Sequence, residues 1–394
     1  MFIINLMDNN IEILRKQIRE DPYNFIMNWM DKNLLIVGKE AFKILALMPH
    51  SLFLPDIKFA STDIRANINN LIIAHSGDGK STLSKKFSQL CYNPIVRRSI
   101  TTADLIDTAS ELKWVSLVIE DLSQTADEGY DTIKVIEGII GDEKSINRST
   151  MNKEYTGEVK GIGFLGVTPH DLERFAHELE SGLLSRCTLT LIKLTHNDRK
   201  KIEEFKHLRA GDSKYAEEIR IIDEIVIDFY MELQMIQRGR HNEYLIDKYG
   251  KNHNKEVIKP IISYEIDMKF KQEFFRKWTK ILDNLMKQGQ HISNRESQEY
   301  YRFLVSHAFL QVFNRDYKNG ILIPNEEDHR IALDLTIQNL KYKWAIPIAL
   351  ESNKRTKTLD ALEKLINQGL PEVVRDVLIN ISPNSKYIKD KVFN

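Results

Sequence analysis

The first residues that can do chemistry are Ala74-His75-Ser76-Gly77-Asp78-Gly79-Lys80-Ser81-Thr82, directly behind the apolar run Asn70-Leu71-Ile72-Ile73. Their spacing is that of a phosphate-binding loop, G/A-x-x-x-x-G-K-S/T, with Ala74 in first place. Gly77 and Gly79 let the backbone turn tightly enough to aim several N–H groups at one phosphate chain. A helix beginning at Lys80 adds its positive end. Lys80 then reaches the outer phosphates and Ser81 ligates magnesium, so ATP with Mg2+ is the expected ligand pair.

Three further positions complete such a site. The apolar run Val115-Ser116-Leu117-Val118-Ile119 ends in Glu120-Asp121. One acid there can hold the metal while the next orients or deprotonates the attacking water. A second apolar run, Gly161 to Val167, ends in Thr168-Pro169-His170. A polar tip there can sit between the acids and the terminal phosphate, although an ordinary strand-end threonine reads the same way. Gly182-Leu183-Leu184-Ser185-Arg186 puts an arginine just before the run Cys187–Leu194. It is either a surface charge or a finger that reaches a neighbouring subunit's nucleotide.

These positions need a parallel sheet to hold them. From 68 to 194 short β-rich runs alternate with helical ones: Ile68–Ala74, a helix from 80, Trp114–Ile119, a helix over about 129 to 141, Lys160–Val167 and Thr188–Leu194. That rhythm predicts an α/β core with crossover helices. Before it, residues 9 to 50 show apolar positions at helical spacing, broken at Asp21-Pro22. After 196 the chain turns helical, with a polar loop over Lys248–Lys255 and a turn at Asn319-Gly320. Two short helical patterns, Leu359–Asn367 and Glu372–Asn380, close it, the second opened by Pro371. The expected division is a helical amino-terminal segment (1–60), the α/β core (61–196), a helical lid (197–345) and a small helical or winged-helix-like tail (346–394).

Composition narrows the partners. Over 394 residues, Lys+Arg and Asp+Glu balance at 56 each, so any nucleic-acid contact has to come from local basic patches. The two cysteines, Cys91 and Cys187, make neither a disulfide framework nor a metal site, which fits a reducing, cytoplasmic setting. The apolar start Met1–Met7 is too short for a signal segment, and no run approaches a membrane span. Arg97-Arg98 and Arg199-Lys200-Lys201 read as solvated charge, the histidines lack metal-ligand spacing, and Phe270, Phe274, Phe275 and Trp278 read as core.

Taken together, the set resembles AAA+ ATPases, and in detail the minichromosome maintenance (MCM) helicase group, over roughly residues 37 to 340. The stretch Arg65 to Ile73 is similar to that family's arginine-led entry into its first core strand. Glu120 and Asp121 fall at its metal-binding and water-activating acids, Thr168 at its sensor-1 position, and Leu183-Leu184-Ser185-Arg186 matches its L-L-S-R finger. Arg295 and Arg302, followed by Phe303-Leu304 and His307-Ala308, with Glu326-Glu327-Asp328 ahead of Ala332 and Leu333, resemble its lid helices, with Arg295 at sensor 2. The resemblance implies a homo-oligomeric ring, a hexamer, whose neighbouring Arg186 completes each site.

It also carries departures. The acids are Glu-Asp where the family has Asp-Glu, so the shorter Asp121 implies slower turnover. The segment before residue 60 leaves no room for the family's amino-terminal DNA-binding domain, and the insertion expected before Trp114 is short. These omissions suit a compact form, as from a virus or mobile element. What remains is a hairpin from Ser145 to Tyr155, turning at Met151-Asn152-Lys153-Glu154. By resemblance it points Lys153, with Arg148 near it, at DNA in a central pore; the bland alternative is a solvated turn. The expected function is ATP-driven DNA translocation or unwinding in replication. The alternative is a nucleotide-gated assembly or loader ATPase with weak turnover.

Overall fold

The computed structural model describes residues 2–34, 40–59, 62–98, 100–102, 104–105, 113–122, 130–141, 146–150, 153–157, 159–168, 182–192, 194, 196–287 and 295–352. The helices and strands, in chain order, begin with α1 (Phe2–Glu20), α2 (Pro22–Leu34), α3 (Glu40–Leu45), α4 (Met48–Ser51), β1 (Ile57–Phe59), β2 (Thr62–Ile64), β3 (Asn70–Ala74), α5 (Lys80–Leu90), β4 (Pro94–Arg97), β5 (Trp114–Ile119) and α6 (Tyr130–Ile140). They continue with β6 (Ile146–Thr150), β7 (Lys153–Gly157), β8 (Lys160–Val167), α7 (Leu184–Arg186), β9 (Thr188–Ile192), α8 (His196–Arg209), α9 (Ser213–Gln237) and α10 (His241–Tyr249). The last are β10 (Ser263–Tyr264), α11 (Met268–Lys287), α12 (Glu296–Leu310), β11 (Asp316–Lys318), β12 (Ile321–Ile323) and α13 (Glu326–Ser352). The chain divides into two compact units, both discontinuous in sequence: one of residues 1–68, 85–94 and 194–333, the other of 69–84, 95–193 and 334–394.

The second unit is built on a five-stranded sheet in the order β4-β5-β8-β3-β9. β3, β5, β8 and β9 run parallel, and every residue of β3 is buried, as strands covered on both faces require. The expected strands at 114–119 and 160–167 match β5 and β8, while the first begins at Asn70 instead of Ile68 and the last ends at Ile192. β4 is an addition. It begins at Pro94, which an edge strand tolerates because one of its backbone rows has no ladder partner. The expected helix over 129 to 141 is α6. It lies close on β8, where a side chain at Gly161 would come within 3.1 Å of the Ile139 carbonyl oxygen. Asn69 fastens the amino edge of this sheet: its Nδ2 donates to the carbonyls of Ile140 and Arg186, at 3.0 Å each, and its Oδ1 accepts from Gly163 N at 3.0 Å.

In the first unit the amino-terminal helices are part of the later helical body instead of a segment of their own. A lone helix of any length leaves its apolar stripe in water, so α1 and α2 need a body to pack on, and Ile18, Ile26, Trp29 and Met30 are all buried. Arg19 Nη2 donates to both carboxylate oxygens of Glu232 of α9, at 2.6 and 2.7 Å, and Trp29 Nε1 donates to Asp223 of α9 at 2.8 Å. His241 accepts from the Ile258 amide at Nδ1, so its Nε2 carries the proton facing Glu232, 3.1 Å away. His50 Nε2 lies 2.8 Å from the Ser306 carbonyl of α12, and burial pushes its pKa down to about 4. Asn319 and Gly320 both take positive φ, 53° and 81°, which makes the expected turn the tight hairpin loop between β11 and β12. Of the aromatic set read as core, Phe270, Phe274 and Trp278 are buried, but Phe275 is 66% exposed. It occupies the position after Phe274, about 100° around the helix from it.

α13 runs without a break through the expected lid–tail boundary at 345, as far as Ser352. The two terminal helical patterns and the winged-helix expectation lie outside the described residues.

Candidate nucleotide site

A parallel sheet delivers every strand tip to the same edge, and ligands of open α/β sheets bind at the carboxyl ends of the strands. β3 ends there at Ala74, and the chain turns through His75–Gly79 into α5. Asp78 N donates to the His75 carbonyl at 3.2 Å. Gly77 and Gly79 take φ of +88° and +90°, values other residues rarely adopt. A Cβ at either glycine would have nothing within 4 Å, so the cradle is open where a phosphate chain would lie. Ser76, Gly77, Gly79, Ser81 and Thr82 are exposed and Lys80 is half-buried, whereas Asp78 is buried. With the amides of the first turn of α5, these residues can hold a nucleotide's phosphates.

The acids meet the loop helix through a residue not anticipated from the sequence. Ser84 Oγ lies 2.8 Å from Glu120 Oε1 and 3.0 Å from the Ser81 carbonyl oxygen. Since Ser84 is three residues beyond Ser81, one helix face carries both and brings Glu120 to the first turn of α5. Ser81 and Glu120 are the residues there that could hold Mg2+. Glu120 and Asp121 are fixed from the other side as well, since their amides donate to the Arg97 and Arg98 carbonyls at 3.0 Å each. Arg97 itself pairs with Asp104 at 3.1 Å on the surface.

Between loop and acids runs β8. Ile119 pairs with Leu165 and Ile73 with Val167, so Thr168 follows directly at the tip, flanked by the loop strand on one side and the acid strand on the other. The fit is close: a Cβ on Gly166 would come within 3.0 Å of the Glu120 carbonyl carbon, and nearer still to its oxygen. A glycine inside an apolar strand signals such an approach. The Ser84–Glu120 contact and the bonds of Asn69 have no comparable signal, since the two residues joined lie 36 to 117 apart along the chain.

The remaining expected positions are elsewhere. Arg186 precedes β9 at the amino edge, where Thr188 pairs with Asn70. Its side chain is 13% exposed and 3.9 Å from Glu137 of α6, and its Nη1 donates to the Gly182 carbonyl at 3.1 Å. Arg295 sits just before α12, in the helical unit. Arg148 and Lys153 lie on the β6–β7 hairpin, which pairs Thr150 with Lys153 and Arg148 with Tyr155. Lys153 is therefore the first residue of the returning strand and not part of the turn. The side chains of both lie outside the described residues.

No protein-family model matches the chain, and no curated protein matches its sequence. The class rests on fold and site: an α/β core compatible with that of a P-loop NTPase. Among the described residues no helix is long and apolar enough to cross a membrane.

Proposed function

We propose that the chain is a magnesium-dependent ATPase of the AAA+ class, similar to the MCM helicases, that works as a ring on DNA. The observation that carries this reading is the place of β8 between β3 and β5, which sets the phosphate loop, Thr168 and the Glu120-Asp121 pair side by side on one sheet edge. In that arrangement Lys80 and the loop amides bind the phosphates, Ser81 and Glu120 hold the metal, and Asp121 and Thr168 orient the attacking water.

Assembly belongs to the reading because of where Arg186 stands. The five residues of β3 separate it from the loop, about 13 Å or more at strand rise, so one side chain cannot serve its own subunit's nucleotide. A role for Arg186 in turnover is then a role in a shared site, acting on a neighbour, while Arg295 enters through the resemblance alone. A DNA role for Lys153 and Arg148 draws on the antiparallel β6–β7 hairpin that carries them. The second reading, a nucleotide-gated assembly or loader protein with weak turnover, is favoured by the engagement of Arg186 with Glu137 of its own chain. ATPase rates with and without single-stranded DNA, over a range of protein concentrations, test the proposal. Stimulation by DNA and a specific activity that rises with concentration are expected. Concentration-independent hydrolysis indifferent to DNA would refute the ring on DNA.

A further inference from the structure

Arg186 lies in a prepared seat. A Cβ at Gly182 would come 2.7 Å from Arg186 Nη1 and 2.6 Å from Glu137 Oε1, and one at Gly141 would come 2.9 Å from Arg186 Nε. Two glycines thus leave the space that the guanidinium fills beside Glu137. Glu137 is itself buried, with a 5% exposed side chain, and has a second cation: Lys134, one helical turn earlier on α6, reaches its Oε2 at 2.8 Å.

The second cation decides what the seat can do. Removing the single partner of a buried carboxylate leaves an uncompensated charge, which is strongly destabilising. Here Lys134 stays behind when Arg186 leaves, and because Arg186 belongs to a short turn between the seat and β9, its side chain can swing out without unravelling the sheet. Asn69 meanwhile holds the Arg186 backbone through the carbonyl oxygen at 3.0 Å, so the Cα stays fixed while the side chain moves.

We infer that Glu137 is a latch that parks Arg186 in its own subunit, and that a neighbour's nucleotide draws the arginine out, with Lys134 neutralising the carboxylate left behind. The inference rests on the trans-acting role of Arg186 proposed above and adds its regulation: Glu137 and the neighbour's terminal phosphate compete for one guanidinium. Glu137 is a positioning residue, touching neither nucleotide nor metal.

Four variants test it. Glu137→Gln keeps the shape of the seat and removes its charge, so ATP turnover of the assembled protein should rise roughly five-fold, the factor for about 1 kcal/mol, for an ion pair whose atoms are 3.9 Å apart. Lys134→Met leaves Arg186 as the main counter-charge of Glu137, so turnover should fall. The Lys134→Met/Glu137→Gln double variant should return to the rate of Glu137→Gln alone, because without the carboxylate Lys134 has nothing to offset. A mere brace between α6 and α7 behaves otherwise: Glu137→Gln would lower turnover and melting temperature together, and that result overturns the latch. Arg186→Ala in the same assay separates the two levels. If it turns over like wild type, the trans finger fails and the latch with it. If it is inactive while Glu137→Gln gains nothing, the latch alone fails.

Discussion

Gly166→Ala adds one methyl group at the point where the acid strand and its neighbour come closest. The new Cβ would stand 3.0 Å from the Glu120 carbonyl carbon and closer to its oxygen. Both atoms are backbone, so no rotamer change relieves the overlap, and β5 and β8 must part by about 1 Å at their tips to regain ordinary contact distances. Overpacking of this kind costs about 1–3 kcal/mol, which lowers the melting temperature by roughly 2–10 °C. The larger effect falls on turnover, because the shift separates Glu120 and Asp121 from Thr168 and the loop, and a misplacement of about 1 Å costs roughly 10²-fold in rate. Gly163→Ala is the matched control on the same strand: its Cβ would meet side chains instead of backbone, Ile140 at 3.2 Å and Leu165 at 3.5 Å, and these can move. Steady-state ATPase rates and thermal melts of the two variants give the comparison. Should Gly166→Ala hydrolyse ATP at the wild-type rate with an unchanged melting temperature, the strand tips do not form the site.

Lys80→Ala should lose nucleotide affinity, since it removes the point cation from the outer phosphates; titration with a fluorescent ATP analogue checks this, and an unchanged dissociation constant would refute the loop assignment. Lys153→Glu should weaken single-stranded DNA binding and flatten its salt dependence while ATP binding stays intact, because each lost phosphate contact removes about one released counterion; equal affinity and slope would sink the DNA role. Arg186→Ala mixed with a Glu120→Gln/Asp121→Asn double variant, each inactive alone, should recover part of the activity at interfaces where an intact arginine faces intact acids; no recovery in co-assembled mixtures counts against a shared site. The depressed pKa of His50, about 4 in the folded protein against an ordinary histidine value of 6.5, sets a pH dependence. As pH falls from 6.5 to 4 the unfolded chain takes up a proton that the folded one refuses, so stability should drop by up to about 3 kcal/mol. His50→Gln should flatten that decline in denaturant melts at pH 7, 5.5 and 4.5, and an identical slope in both proteins would refute the assignment.

The sequence by itself determined what is local. A phosphate loop is a run of adjacent residues, and its glycines, lysine and serine are legible because their backbone angles and charges act on neighbours a few bonds away. Strand and helix periods set β3, β5, β8 and α6 for the same reason, and Asn319-Gly320 set the β11–β12 turn. Tertiary structure alone decided which tips meet. Nothing local in 115–121 or 161–168 fixes the order β5-β8-β3; it follows from the packing of all the strands together, and it is what puts Thr168 between acids and loop. The same holds for Ser84 against Glu120 and for Asn69 against Ile140, Gly163 and Arg186, polar groups whose partners come from distant parts of the chain. It holds most for Arg186. Its place before a strand was readable in the chain, but its seat against Glu137 was not, because the space for a guanidinium comes from glycines 141 and 182, which neighbour one another only once α6 and α7 have packed on the sheet.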